Sequence, residues 1–99
     1  MKLLTNKLKN ALPALYAKEN EKDPLVICKF FLPMTKCTWY AIEFDGNDTF
    51  FGYVAGDFPE LGYFSLSELE SVEGPYGLGV ERDRYFEPQL LSGIKKLHE

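Results

Sequence analysis

Residues 37–57, CTWYAIEFDGNDTFFGYVAGD, carry the clearest structural signal of this chain. Two runs rich in aromatic and β-branched residues, 37–45 and 49–57, flank the tetrad Asp45-Gly46-Asn47-Asp48. Such runs favour β-strands, and a tetrad of Asp, Gly and Asn favours a tight turn between antiparallel strands. The stretch therefore predicts a β-hairpin.

Alternation along the first strand of this hairpin places aromatic residues on both faces of the sheet. One face must then pack on a helix, and the other must be covered or serve as a binding surface. The two predicted faces are Tyr40, Ile42 and Phe44 on one side, and Trp39, Ala41 and Glu43 on the other.

The sequence before the hairpin predicts a helix and a strand. LLTNKLKNALPALYAKE (3–19) has leucines at helical spacing, with Thr5 or Asn6 available as the N-cap. It therefore predicts an amphipathic helix that is kinked or split at Pro13. LVICKFFLP (25–33) is typical of a strand that ends at a proline.

The sequence after the hairpin predicts a turn at 57–62, a short strand at 63–66 and two short helices. Ser65 stands three residues before Glu68, which is capping-box spacing for a brief helix. PQLLSGIKKLHE (88–99) has apolar residues at approximate helical spacing and predicts a last helix.

Together these elements predict an α+β fold. We expect a small antiparallel sheet of three to five strands, packed by the N-terminal amphipathic helix and by short C-terminal helices. The chain has 99 residues, of which 45% are hydrophobic and 15% aromatic. This length and composition suit one domain, 1–99, with its own core.

The net charge of −4 is unevenly distributed along the chain. Residues 1–36 carry +4, residues 37–94 carry −9 and the tail carries +1. An acidic middle disfavours a surface that follows nucleic-acid phosphates and favours a basic protein partner or a cation. The same carboxylates also serve to keep a small aromatic-rich domain soluble.

Cys28 and Cys37 lack the spacing and the companion cysteines of a zinc site, so we expect no metal and no cofactor. We interpret both as free thiols, with a disulfide as the less favoured alternative. No apolar run reaches the ~20 residues of a membrane span, and no signal peptide stands at the start. We therefore expect a cytoplasmic protein without a membrane partner.

Several phrases in order along the chain resemble one bacterial family. They are LPALYAKE, DPLVICKFF, EFDG, FFGYVAG, ELGYFSLSEL and GVERDRYFEP, and they cover nearly the whole sequence. The family is known as domain of unknown function 2958. The resemblance implies a small, single-domain accessory protein of plasmids, integrative elements and phages, and it supplies no chemistry.

Nucleophilic catalysis is disfavoured because the only histidine, His98, lies at the C-terminus, where fraying is expected. A metal-dependent hydrolase is the alternative that clustered carboxylates allow, with Glu60, Glu81 and Asp83 as its residues. No calcium-loop spacing accompanies them.

In GVERDRYFEP, the charges Glu81, Arg82 and Asp83 lie between hydrophobic anchors. We favour structural ion pairs, in which an arginine reaches a carboxylate elsewhere, such as Glu60 or Glu43. The other interpretation is a recognition patch in which Arg82 binds an anionic group of a partner.

The interpretation that we favour is a non-enzymatic module whose acid-rimmed aromatic sheet face binds a protein with a basic surface. Its hypothetical role is an acidic inhibitor of a host defence or DNA-processing protein. Direct nucleic-acid binding is disfavoured, and a homodimer formed through an uncovered sheet face stays open. The predicted partner-binding residues are Trp39, Tyr40, Glu43, Asp57, Glu60, Tyr63 and Glu73.

Overall fold

The computed structural model describes residues 2–99, and at its centre is the predicted hairpin, β3 (Thr38–Phe44) and β4 (Thr49–Ala55). The carboxylate of Asp45 closes the turn, because its Oδ1 accepts the amides of Asn47, Asp48 and Thr49 at 2.8, 2.9 and 3.1 Å. These hydrogen bonds, that from Asn47 first, hold the pKa of Asp45 below its ordinary value. Gly46 takes the left-handed conformation that the turn needs, with φ +87°.

The hairpin belongs to a five-stranded antiparallel sheet that also contains β2 (Cys28–Phe31), β5 (Glu60–Ser65) and β6 (Glu81–Arg82). The order of the strands is β5-β4-β3-β2-β6. A separate two-stranded sheet pairs β1 (Leu25–Val26) with β7 (Gln89–Leu90). With three short helices, this arrangement confirms the predicted α+β class.

A β-bulge interrupts the pairing of β3 with β4. Ala41 lies opposite Gly52 and Glu43 lies opposite Phe51, so Ile42 is an extra residue on β3. As a result, Glu43 lies on the same face as Tyr40 and Tyr53, and Phe44 lies on the other face with Phe50. The regular alternation that the sequence predicts is wrong from this point of the strand onward.

Each face of the sheet carries its own hydrophobic cluster. On the face that we call the α2 face, the sheet packs against residues flanking α1 (Asn6–Ala11) and against Leu69 of α2 (Leu66–Ser71). On the α3 face, the sheet packs against Leu91 and Ile94 of α3 (Leu91–Leu97). The buried sheet residues of the α2 face are Cys28, Phe30, Ala41, Phe44, Phe50 and Phe64, and those of the α3 face are Tyr40, Ile42, Tyr53 and Ala55.

The long N-terminal amphipathic helix is not confirmed. Helix α1 has six residues and buries none of them, whereas Leu3, Leu4 and Leu12, which flank it, are buried. Pro13 explains its early end, because a residue before proline is driven to extended backbone, and Leu12 has φ −76° and ψ 127°. The leucines therefore anchor a short helix at both of its ends.

The two later helices, α2 and α3, each begin where a side chain accepts a hydrogen bond from their first turn. Ser65 accepts the Glu68 amide at 3.1 Å, which confirms the predicted cap of α2. Asp23, distant in sequence, accepts both the amide and the hydroxyl of Ser92 at 2.8 and 2.7 Å, and so fixes the first turn of α3. A short 3-10 turn, Pro75–Gly77, follows α2.

Candidate functional site

Two of the predicted partner-binding residues, Tyr40 and Glu43, are buried and do not lie on the surface as the sequence predicts. Tyr40 is 2% exposed, because α3 covers its face of the sheet, and Glu43 is 4% exposed. Glu43 accepts the backbone amides of Tyr16 and Lys18 at 3.0 and 2.8 Å. It therefore holds the loop before β1 against the sheet instead of forming a charged rim.

Tyr40 is part of a polar contact inside the α3 face. Its hydroxyl lies 2.7 Å from Nε2 of His98, and the His98 ring meets the Tyr40 ring edge-on at 5.5 Å between centroids. Burial, followed by the nearby Asp83 and Tyr53, raises the pKa of Tyr40 above its ordinary value. His98, which we expected to fray, is therefore held by the residue at the centre of the sheet.

Trp39 and Glu73 do not lie with the remaining predicted residues. Trp39 is half-buried and packs against the cluster of the α2 face. Glu73 is exposed and forms a β-bridge with Gly79, two residues before the edge strand β6. Neither residue lies on β5 or on the turn that precedes it.

Asp57, Glu60 and Tyr63 lie along one edge of the sheet, Asp57 on the β4–β5 turn and the other two on opposite faces of the edge strand β5. Two apolar residues that sequence reasoning missed lie beside them, Phe58, which is 88% exposed, and Leu61, which is 44% exposed. Tyr63 is 56% exposed. The sequence does contain a signal for this apolar surface, because Phe58 stands within DFPELG (57–62), whose composition predicts only a turn.

Half of the backbone polar groups of β5 face away from the sheet. The Leu66 amide donates to the Asp48 carbonyl at 2.8 Å, one step beyond the pair of Thr49 and Ser65. Because hydrogen-bonded pairs alternate along an antiparallel ladder, Glu60, Gly62 and Phe64 bond to β4. The N–H and C=O groups of Leu61 and Tyr63 therefore point to the open edge, and no hydrogen bond reaches them from residues 2–99.

The two sides of β5 differ in chemistry. Leu61 and Tyr63 lie opposite Tyr53 and Phe51, so their side chains lie on the α3 face, and Glu60, opposite Val54, lies on the α2 face. A hydrogen-bonding interaction with Tyr16 is the main cause that raises the pKa of Tyr63, and Glu43 and Glu19 add to it. The Tyr63 hydroxyl therefore loses its proton at a higher pH than an ordinary tyrosine does.

Two charged side chains of the segment 81–84, Arg82 and Asp83, bind the N-terminal segment and β2. Arg82 donates from one guanidinium nitrogen to the backbone carbonyls of Lys2 and Leu3, and Asp83 pairs with Lys29 at 3.9 Å. Glu81 is half-buried in β6, and no ion pair of this carboxylate is found within residues 2–99. Neither Glu60 nor Glu43, the partners that we expected for the arginine, lies in these contacts.

The three carboxylates of the hydrolase hypothesis are not brought together. Glu60 lies on edge strand β5, whereas Glu81 lies on the opposite edge strand, β6, and Asp83 follows it. In the described part of the chain, no group of three or more His, Cys, Asp or Glu side chains is placed to hold a metal ion.

Cys28 and Cys37 are both free thiols. Cys28 is buried in the cluster of the α2 face, and burial raises the pKa of its thiol to about 12. Cys37 lies near the turn that joins β2 to β3, where its carbonyl accepts the amide of Leu32. The two cysteines are therefore separated by the length of β2.

The model of a family described as Protein of unknown function (DUF2958) matches residues 3–94. No curated protein and no solved structure matches the chain. Among the helices of residues 2–99, none has the length and apolar character needed to cross a membrane.

Proposed function

The chain belongs to the DUF2958 family, and we propose that it is a non-enzymatic module that binds a partner protein by pairing β5 with an extended basic segment of that partner. The observation that carries the proposal is the open edge of β5. The strand has six residues, and the outward groups of Leu61 and Tyr63 have no partner within residues 2–99.

Natural proteins usually protect such an edge with lysines, prolines, bulges or a covering segment. Strand β5 has the sequence ELGYFS, without lysine or proline, and all six residues pair with β4 in continuous register. An added strand gains main-chain hydrogen bonds along an edge of this kind, which is how several peptide-binding domains take extended ligands. The edge of β5 is suited to that mode of binding.

The charge of the surroundings favours a basic segment. Asp57 and Glu60 are exposed at one end of β5. Residues 37–94, which include β5, carry −9 in total. Complementary charge of this sort raises the association rate and selects among partners, and it is weakened by salt.

The mobile-element setting implied by the family resemblance leads to a more specific proposal. Proteins that act on nucleic acid carry basic, extended segments, and an acidic module that occupies such a segment blocks its access to phosphate. We place the chain as an inhibitor of a host defence or DNA-processing protein through this contact. It acts in the cytoplasm and makes no direct contact with nucleic acid.

A displayed library of short random peptides, selected on the immobilised protein, tests the proposal. We expect the selected peptides to be enriched in lysine or arginine at alternate positions, and their binding to weaken as salt is raised. Hydrogen exchange should slow at the amides of Leu61 and Tyr63 when a selected peptide is bound. A selection without enrichment, or enrichment of acidic peptides, contradicts the proposal.

A matched pair of variants locates the contact. Leu61→Pro removes an outward amide but no bond to β4, so peptide binding should weaken by about tenfold, or ~1.4 kcal/mol. Gly62→Ala keeps its amide bonded to β4, and its added methyl group meets open space, so binding should be unchanged. If Leu61→Pro does not fold, the double charge reversal of Asp57 and Glu60 to lysine serves the same purpose, and unchanged binding by that variant contradicts the proposal.

A further inference from the structure

A cavity of about 320 Å³ lies next to β5 on the α3 face. Its floor is apolar, and it lies between the sheet, the loop before β1 and helix α3. Leu61 and Tyr63 form its wall on the side of the sheet edge. The apolar lining residues are Ile42, Phe51, Leu61 and Leu91.

The rim of this cavity carries charges of both signs, namely Lys18, Lys22 and Lys95 and the carboxylates of Glu19, Glu21 and Glu43. Lys18 pairs with Glu21 at 3.8 Å. For Lys22 and Lys95, no carboxylate lies within 4.0 Å of the ammonium group in the described part of the chain. The cavity therefore combines an apolar floor with a mouth of mixed charge, whereas Asp57 and Glu60, at the edge of the sheet, are acidic.

A strand paired with β5 brings side chains to the cavity. Such a strand lies ~4.8 Å from β5, and every second side chain points to the α3 face, beside Leu61 and Tyr63. Diagonal neighbours across a strand pair are ~7–8 Å apart, which is within reach of an aromatic side chain. One residue of the added strand can therefore extend over Leu61 into the cavity.

Chemistry determines which residue that is. Burial of a charge against the apolar floor carries a desolvation penalty. The carboxylates of Glu21 and Glu43 are engaged by Lys18 and by two backbone amides, and Lys22 and Lys95 repel a cation, so a basic side chain is disfavoured on the α3 face. On the α2 face the added strand runs beside Glu60, which attracts a cation. Pockets for small molecules usually measure about 300–1,000 Å³, so this cavity lies at the lower end of that range and has room for one large side chain.

Resting on the proposed pairing at β5, we propose that this cavity is the specificity pocket for the partner segment and takes one aromatic side chain. The segment alternates, with apolar residues, including that aromatic one, toward the α3 face and lysine or arginine toward Glu60. Main-chain pairing supplies the orientation, and the cavity selects the sequence.

Three short acetylated peptides that alternate arginine with valine, and differ only at one central valine position, test the inference. That position carries phenylalanine, alanine or arginine. By calorimetry, we expect the phenylalanine peptide to bind the intact chain about tenfold more tightly than the alanine peptide, and the arginine peptide to bind no more tightly than the alanine peptide.

Leu61→Trp fills the cavity from its wall and leaves the outward backbone groups in place, so it should remove the preference for phenylalanine. Lys95→Glu should let the central arginine bind several-fold more tightly than in the unaltered chain. Gly62→Ala, on the other face of the same strand, should keep the preference.

The outcomes separate this inference from the function on which it rests. Equal binding of the phenylalanine and alanine peptides overturns the specificity pocket, while the pairing at β5 stands. A phenylalanine preference that Leu61→Trp does not reduce also overturns the pocket. Absence of binding by all three peptides, together with a library selection that yields none, overturns both.

Discussion

At the scale of single residues, Glu43 is a buried carboxylate whose two observed partners are the backbone amides of Tyr16 and Lys18. Tyr16 itself has a positive φ of 68°, a conformation that side chains other than glycine seldom take. The carboxylate stabilises this loop conformation, because each of its oxygens accepts one amide. The loop in turn forms one wall of the cavity beside β5.

Glu43→Gln should therefore lower the stability of the fold. The amide NH₂ of glutamine would face a backbone N–H, so one hydrogen bond is lost and one buried donor is left without a partner. We expect the free energy of unfolding, measured in urea, to fall by about 1–3 kcal/mol. Glu60→Gln makes the same chemical change at an exposed position and should alter it by less than about 0.5 kcal/mol. Equal effects of the two variants would show that Glu43 does not anchor the loop.

Cys28 should make stability fall at alkaline pH. Its pKa is raised from 9.0 to about 12, so above pH 9 the unfolded chain loses a thiol proton that the folded chain keeps. Stability is then lost as the pH rises between these values, by at most about 1.4 kcal/mol per pH unit. In urea titrations over this range, Cys28→Ala should flatten the fall, and Cys37→Ala, which retains the Cys28 thiol, should not. Parallel curves for all three proteins contradict this.

At the scale of elements, one cross-strand row of the sheet is built of small residues. Ala41, Gly52 and Gly62 lie side by side on β3, β4 and β5, on the α2 face. A Cβ at Gly52 would overlap the carbonyl oxygen of Tyr40, whereas a Cβ at Gly62 meets nothing within 4 Å. The close approach of β3 and β4 therefore depends on glycine at one of these positions only.

The same substitution should have opposite effects at the two glycines. Gly52→Ala forces backbone apart in the centre of the sheet, and we expect a loss at or beyond the upper end of the ~1–3 kcal/mol of overpacked cores. Gly62→Ala should be neutral or stabilise by up to about 1 kcal/mol, since alanine restricts the unfolded chain. Thermal unfolding followed by circular dichroism measures both. A tolerated Gly52→Ala would mean that the strands are farther apart than described.

Features encoded by neighbouring residues could be predicted from the sequence. The turn at Asp45–Asp48 and the cap of α2 by Ser65 each depend on residues within four positions of one another. The burial of Tyr40 could not be predicted, because it depends on α3, which joins the sheet from the other end of the chain. The position of Glu43 could not be predicted either, because it depends on a β-bulge that no turn-forming residue in the sequence marks.

The candidate site was predicted only in part for a related reason. The sequence shows that this region is acidic and contains Tyr63. It does not show that β5 begins at Glu60, because Glu60 stands in DFPELG (57–62), whose residues are typical of a turn. Leu61 was consequently assigned to a loop. Which strand forms the edge of the sheet depends on the strand order, and the sequence signals only neighbouring pairs.

At the scale of the whole molecule, the α3 face is assembled from distant parts of the chain. Val26 comes from β1, Tyr40 and Tyr53 from the central hairpin, and Leu91 and Ile94 from α3. The contact of the Tyr40 hydroxyl with His98 is the polar link between the hairpin and the end of α3. Loss of this link should loosen α3 before the rest of the structure unfolds.

Tyr40→Phe tests this link while keeping the aromatic ring. We expect the free energy of unfolding to fall by about 0.5–1.5 kcal/mol, the usual contribution of one hydrogen bond. Amide exchange should become faster in α3 and stay unchanged in β4. Tyr85→Phe removes a hydroxyl from an exposed tyrosine and should change neither measurement. Unaltered exchange in α3 of Tyr40→Phe would show that the link does not hold the helix.

The bulge at Ile42 also determines how β3 of this chain would respond to the loss of one residue. Loss of one residue from a regular strand turns every later side chain to the opposite face. If the codon for Ile42 were deleted, Ala41 would stay opposite Gly52 and Glu43 opposite Phe51, so each later residue would keep its side. Deletion of Ile42 would thus turn β3 into a regular strand with the same register, and the difference would be the loss of one interior side chain.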